Sequence, residues 1–394
     1  MKQFDKKYDR SKTGARKWDT QVIKEKFGLV GDAIPLDLAD MDFACAEPIQ
    51  KALVNRALVS DYSYTYVSND FYQAVMDWHD KRFNVNVEKE WIRLVFGTVS
   101  TLHYIVQAFT QEGEAVMIHQ PVYDPFTEAV INNDRKIVTS SLINRNGRYE
   151  MDFDDMEEKM KSEEVKILIF CSPHNPGGRV WSIEELHKVA QLCLKHDILL
   201  VSDEVHREMI VSDVKFTCML QEKSILDQLI LCSSPNKAFN LGGLKTSYTI
   251  IPNAQVRKTF YSQLLRNAIS SPNTFAIPAL VAAYNEGESW LNDCTEYIKG
   301  NYKLVYDFFE KYLPKAHIMR AEASFLAWID MRQMFEDEAE IIDFFARVNL
   351  TVVKGSYFGK EGYGFARIVI AMNRELLLEV LERLKTSYEM WEHK

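Results

Sequence analysis

From about residue 90 to 255, short apolar runs alternate with longer stretches of helical period. Runs ending near Phe96, Ile118, Phe170, Val201, Cys232 and Ile251 are brief and rich in Ile, Leu and Val, as buried strands are. Between two of them, Ile183, Leu186, Val189, Ala190 and Cys193 recur at helical spacing. Ser182, followed three positions later by Glu185, supplies a capping box at that helix's start. Such alternation predicts a mostly parallel sheet covered by helices, an α/β fold.

Beyond about residue 285 the texture changes. Helical segments over 288–312 and 335–348 surround strand candidates at 317–330 and 350–353. An alternating stretch at 365–371 then leads into an amphipathic helix from Arg374 to about Trp391. This predicts a smaller α+β domain. The expected division is an N-terminal segment over 1–45 packing with the small domain, a large domain over 46–285 and the small domain over 286–394. A chain of 394 residues can bury two substantial cores.

Composition narrows the function. Hydrophobic residues at 47% and charged residues at 26% are those of an ordinary globular protein. The net charge of -9 argues against nucleic acid or an anionic membrane as partner. No window approaches 18 consecutive apolar residues, so no membrane span is expected. The opening Met1-Lys2-Gln3-Phe4-Asp5-Lys6-Lys7 leads into no apolar stretch, so no secretory signal is expected. Six cysteines form no C-x-x-C pair and several sit inside apolar runs, which fits a reducing cytoplasm. Nine histidines form no H-E-x-x-H and no ligand-spaced cluster, so no metal is expected.

The candidate chemistry clusters by position. Gly97-Thr98, Tyr123, Asn175, Asp203 and Lys237 each lie just beyond a predicted strand end. Open α/β sheets bind ligands at the carboxyl ends of their strands. A lysine, an aspartate, an asparagine and, far downstream, Arg367 are what a pyridoxal phosphate enzyme requires of its protein. Each residue also has a plainer reading. Lys237 could be a surface lysine, Asp203 a helix N-cap, Asn175 a turn residue, and Arg367 half of a structural ion pair.

Longer strings add to this reading. They are Arg10, Thr13, Lys17-Trp18-Asp19, Ala39-Asp40-Met41-Asp42-Phe43, Pro121-Val122-Tyr123 and Pro173-His174-Asn175-Pro176 through Gly178-Arg179-Val180-Trp181. Ser202-Asp203-Glu204-Val205-His206, Ser233-Ser234-Pro235-Asn236-Lys237 with Phe239-Asn240, and Arg367 complete them. Nearly end to end, the chain resembles fold-type-I pyridoxal-phosphate enzymes of the class I/II aminotransferase superfamily. More narrowly, it resembles the MalY/PatB-type C–S β-lyases, or cystathionine β-lyases.

The resemblance implies pyridoxal 5′-phosphate (PLP) as cofactor and assigns roles. Lys237 would hold it as a Schiff base and move the substrate's Cα proton, since burial and a neighbouring cation free a lysine amine near neutral pH. Asp203 would pair with the pyridine nitrogen, and Asn175 and His206 would hydrogen-bond the phenolic oxygen. Tyr123 would stack on the ring. Gly97, Thr98 and Val99, at a helix start, would receive the phosphate, with Ser234 and Lys245 adding a hydroxyl and a charge. Tyr64 would reach that phosphate from the partner of a homodimer with shared active sites. Arg367 would grip the α-carboxylate of a small amino-acid substrate.

Three positions depart from the pattern. Asn236 stands where serine is usual, Lys245 where this branch commonly has glutamine, and Asp37 where an aromatic is common. The implied activity is α,β-elimination from cystathionine or related cysteine S-conjugates to thiol, pyruvate and ammonia. An aminotransferase using the same proton abstraction is the alternative. A regulatory, protein-binding role on the same fold is a further one.

Overall fold

The computed structural model describes residues 2–393 and realises the alternation. Its strands are β1 (Ile92–Val95), β2 (Ala115–Ile118), β3 (Lys136–Thr139), β4 (Ile143–Arg145), β5 (Arg148–Glu150), β6 (Val165–Cys171) and β7 (Leu199–Asp203). They continue with β8 (Leu229–Ser233), β9 (Ser247–Ile250), β10 (His317–Ile318), β11 (Leu326–Asp330), β12 (Val353–Lys354) and β13 (Phe365–Val369). A seven-stranded sheet runs in the order β1-β9-β8-β7-β6-β2-β3. β2, β3, β6, β7 and β8 pair in parallel, while β9 is antiparallel to both neighbours. β1 therefore points the same way as the parallel strands.

This sheet is buried on both faces, which explains why β6, past the exposed Lys166 near its start, reads as the continuous apolar run Ile167-Leu168-Ile169-Phe170-Cys171. Ile167 and Ile169 enter one core with Ile105, Val116 and Ile230. Leu168 and Phe170 enter the other with Met117, Leu200 and Leu231. The helix at Ile183–Lys195 starts on the expected capping box, with Ser182 and Glu185 each accepting from the other's backbone N–H. It buries Leu186, Val189, Ala190 and Cys193.

A second, four-stranded antiparallel sheet has the order β10-β11-β13-β12. It is flanked by helices at Glu288–Tyr312, Glu338–Ala346 and Arg374–Glu392. Residues 317–330 form two strands rather than one continuous strand. The intervening chain leaves the sheet and bonds elsewhere: Glu322 and Ala323 N–H both donate to the Gly178 carbonyl, at 2.8 and 2.9 Å. The strand expected at 350–353 is shifted to Val353–Lys354, because Leu350 instead bridges in parallel to Ile34. β13 is buried at every position rather than alternating.

The N-terminal stretch joins this second sheet. Val369 N–H donates to the Leu36 carbonyl at 2.9 Å, and Leu36 N–H to Thr351 Oγ1 at 2.7 Å. Phe4 packs among Phe43, Trp290 and Tyr297. No helix among the described residues is long and apolar enough to cross a membrane.

Candidate active site

Because β1, β2, β6, β7 and β8 run the same way, their carboxyl ends open onto one edge. The chain leaves β2 toward β3 on one side and β6 toward β7 on the other. The crevice thus falls between β2 and β6, a topological switch point. Tyr123 follows β2 and Asn175 follows β6. The two loops are tied there, Tyr123 N–H donating to the Asn175 carbonyl at 3.1 Å.

Asp203 ends β7 and is 5% exposed, flanked across the sheet by Cys171 and Cys232. No helix follows it, so it is not an N-cap. Its Oδ1 accepts from Val205 N–H at 3.1 Å, an Asx turn. Burial pushes its pKa up to about 7, opposed by that hydrogen bond and by Lys237. A buried carboxylate with so little compensation calls for a cation beside it.

Lys237 lies just past β8 and is partly buried, its Nζ donating to the Ala39 carbonyl at 2.8 Å. Desolvation, then the Arg367 charge, push its pKa down to about 8, with Asp40 and Asp203 pulling the other way. A lysine so placed has an appreciable neutral amine fraction near neutral pH. It is no ordinary surface lysine.

His206 is 4% exposed, and burial together with Lys237 and Arg367 pushes its pKa down to about 3, so the ring is neutral. Tyr123 is held protonated, its pKa raised to about 12 by burial. Asn175 is 4% exposed and its Oδ1 lacks a protein partner.

Arg367 sits mid-strand in β13, opposite Trp328 and Val353. Nη2 donates to the Asp37 carbonyl at 2.7 Å, and the guanidinium lies 5.0 Å from the Phe358 ring centroid. Nε and Nη1 are buried without a partner. Among the described residues no carboxylate pairs with it, so the ion-pair reading fails. Two orphaned donors on one buried guanidinium fork are a ready carboxylate receptor. Asp37, the unusual residue, spends its carboxylate on Lys26 and Thr351, each at 2.8–2.9 Å.

The helix Thr98–Phe109 follows β1, with Gly97 at its N-cap at φ 90°, which a side chain rarely adopts. No side chain caps it, leaving its first N–H groups free for an anion. Lys245 Cδ lies 3.6 Å from where a Gly97 Cβ would be, so the lysine side chain passes beside the helix start. Val99 is 36% exposed. Ser234, buried, accepts from Asn236 N–H at 3.3 Å. Tyr64 stands apart from these, 97% exposed in a stretch with neither helix nor strand.

These observations fit PLP: free helix N–H groups with a lysine, a buried carboxylate with no ion-pair partner among the described residues, an amine of lowered pKa and a neutral imidazole. A cleft of about 350 Å³ elsewhere, lined by Tyr8, Trp18, Ile34 and Arg383, contains none of these residues. Sequence reasoning assigned no role to Ala39, Asn240 or Ser324. The string at 39–43 was itself the available signal, since it supplies the Lys237 acceptor.

Residues 36–384 match the family described as aminotransferase class I and II. Cystathionine beta-lyase PatB of Bacillus subtilis is 36% identical over 386 residues, covering 98% of this chain and 99% of the relative. Protein MalY of Escherichia coli is 29% identical over 371 residues, with 93% and 94% covered. The crystal structure of cystalysin from Treponema denticola, which contains a pyridoxal 5′-phosphate cofactor, superposes with a TM-score of 0.94 at 32% identity, covering 98% of each chain.

Proposed function

The chain belongs to the aminotransferase class I and II family, and from that premise we propose that it is a PLP-dependent C–S β-lyase. It cleaves cystathionine or a related cysteine S-conjugate to thiol, pyruvate and ammonia. The observation that carries the chemistry is the convergence of Lys237 and Asp203 at the carboxyl edge of the seven-stranded sheet, with the Arg367 charge acting on Lys237 from β13 and Lys237 pushed down to about 8 and Asp203 up to about 7. The observation that favours the lyase is the 36% identity, over 98% of the chain, to the B. subtilis cystathionine beta-lyase.

Bound PLP supplies an electron sink for the pair of electrons left at the substrate Cα. The chain's residues do the rest. Lys237 Nζ would bond the cofactor's aldehyde carbon in the resting enzyme. The same amine, free near neutral pH, would accept the substrate's Cα proton. Asp203 would hold the pyridine nitrogen, and a protonated nitrogen there would relieve the buried carboxylate. Asn175 and His206 would hydrogen-bond the phenolic oxygen, and Tyr123 would cover the ring face. Gly97, Thr98 and Val99 offer N–H groups to the phosphate, with Ser234 and Lys245 beside them. Arg367 binds the α-carboxylate through its two unpartnered donors, fixing which Cα bond faces Lys237. The Cβ–S bond would then break, the sulfur leaving with the bonding pair and taking up a proton as the thiol while the Cα pair closes a Cα=Cβ bond. Hydrolysis of the released enamine by water gives pyruvate and ammonia.

The working unit is a homodimer in this reading. Leu58, Val59, Tyr62, Tyr64 and Tyr66 form an exposed apolar group between 60% and 97% accessible, suited to cover by a second copy. Tyr64 would cross to the partner's phosphate. A cytoplasmic location accords with six unpaired cysteines.

The deciding assay supplies cystathionine and measures pyruvate with and without an added keto acid. Pyruvate formed without the keto acid supports the lyase. Amino transfer that requires a keto acid, with no pyruvate, would assign the aminotransferase instead.

A further inference from the structure

Ser324 lies between β10 and β11, is 2% exposed and has φ +75°. A serine in the left-handed region is strained, so surrounding contacts must hold it there. They do. Ser324 N–H donates to the Met209 carbonyl at 2.7 Å, and Ala323 bridges antiparallel to Ile210. Glu322 and Ala323 N–H grip the Gly178 carbonyl from the other side. The segment straps the turn after Asn175 to the turn that carries His206.

The strap's geometry delivers one side-chain contact. Ser324 Oγ lies 3.1 Å from His206 Nδ1, and both residues are buried. No other hydrogen-bond partner of Ser324 Oγ exists among the described residues. A serine hydroxyl carries one proton, and the only acceptor in reach is Nδ1. If Nδ1 carried the ring proton, the hydroxyl proton would be buried without an acceptor, the costly state for a polar group. The ring proton therefore belongs on Nε2. That edge has no protein partner among the described residues, and the charges acting on the ring are those of Lys237 and Arg367.

We propose that Ser324 is a positioning residue that fixes His206 in its Nε2–H tautomer, so that the imidazole donates a hydrogen bond to the cofactor's phenolic oxygen. The second half rests on the proposed placement of PLP. The first half stands on the protein alone. The arrangement also links the second sheet to the cofactor site, because a residue entering β11 sets the donor pattern of a residue following β7.

The test uses full-length protein labelled with ¹⁵N-histidine. In the apoprotein, the two ring nitrogen shifts of His206, assigned by their loss in His206→Phe, report the tautomer. Wild type should show Nε2–H. Ser324→Ala and Ser324→Gly, the latter relaxing the backbone, should both show a mixture or the Nδ1–H form. In the PLP-loaded protein, the pH midpoint of the visible absorption should rise by about one pH unit in both variants, the worth of one lost hydrogen bond. Ser324→Ala should leave that midpoint unmoved when made in the His206→Phe background. A proton on Nδ1 in wild type would overturn the proposal, as would variants with wild-type tautomer and midpoint. A wild-type protein that develops no visible band with PLP would sink the cofactor reading, leaving the apoprotein spectrum to decide the tautomer.

Discussion

Asn240 and Met41 exchange two hydrogen bonds: Met41 N–H donates to Asn240 Oδ1 at 3.0 Å, and Asn240 Nδ2 donates back to the Met41 carbonyl at 2.8 Å. The clasp brings the chain at Ala39 to Lys237, whose Nζ it accepts. Arg10 and Lys17 brace the same stretch by pairing with Asp42, each at 2.7 Å. Asn240 itself sits at φ 59°, which glycine tolerates. Asn240→Gly should therefore keep the backbone but strand the buried Met41 N–H, costing roughly 1–3 kcal/mol in urea unfolding. An unchanged midpoint would show that the clasp contributes nothing.

Arg367 separates stability from activity. Replacing a buried, underpaired cation with an apolar side chain of similar length is neutral or stabilising, by about 1–4 kcal/mol at most. Arg367→Met should keep or raise the melting temperature. Its kcat/KM should fall by roughly 2–5 kcal/mol of transition-state stabilisation, more than about thirtyfold. Unaltered kinetics would place the guanidinium outside the substrate site.

Asp203 predicts a pH signature in the apoprotein. Its folded pKa of about 7 lies above the ordinary 3.8, so the folded state binds the extra proton between those values. Wild-type stability thus falls as pH rises from about 4 to 7 on this account, and the full penalty persists above pH 7. Asp203→Asn lacks that penalty. Its stability advantage should grow across that window to about 4 kcal/mol and then level off. PLP added to wild type should shrink the gap. Parallel melting curves from pH 4 to 8 would contradict the assignment.

Glu322 joins three regions. Its carboxylate accepts from Arg179 Nη1 at 2.9 Å, Arg148 Nε at 3.1 Å and Val180 N–H at 2.7 Å. Glu322→Ala leaves Arg179, 1% exposed, with Glu185 as its remaining charged partner. A loss of roughly 3–5 kcal/mol is expected in thermal or urea unfolding. A loss below about 1 kcal/mol would reduce the contact to surface value.

What the sequence revealed follows from which interactions are local. The helix at Ile183–Lys195 announced itself through Ser182 and Glu185, three positions apart. β6 announced itself as an apolar run too short for a helix. Strand ends then placed Tyr123, Asn175 and Lys237 along one edge without any knowledge of contacts. β13 misled, because its alternation signals one wet face whereas it is covered on both. The break after β10 was illegible for another reason. It depends on carbonyls at Gly178 and Met209, more than a hundred residues away, and on a left-handed serine that no neighbouring residue marks. The Ala39 acceptor is a backbone atom 198 positions from Lys237 and leaves no trace in residue type.

The central claim is that the Lys237 amine carries the coenzyme. Purified protein incubated with PLP, reduced with borohydride and digested should yield one modified peptide. The account predicts that the reduced adduct maps to Lys237 and that Lys237→Ala forms none. An adduct on Lys245 or any other lysine, with Lys237 unmodified, would contradict it.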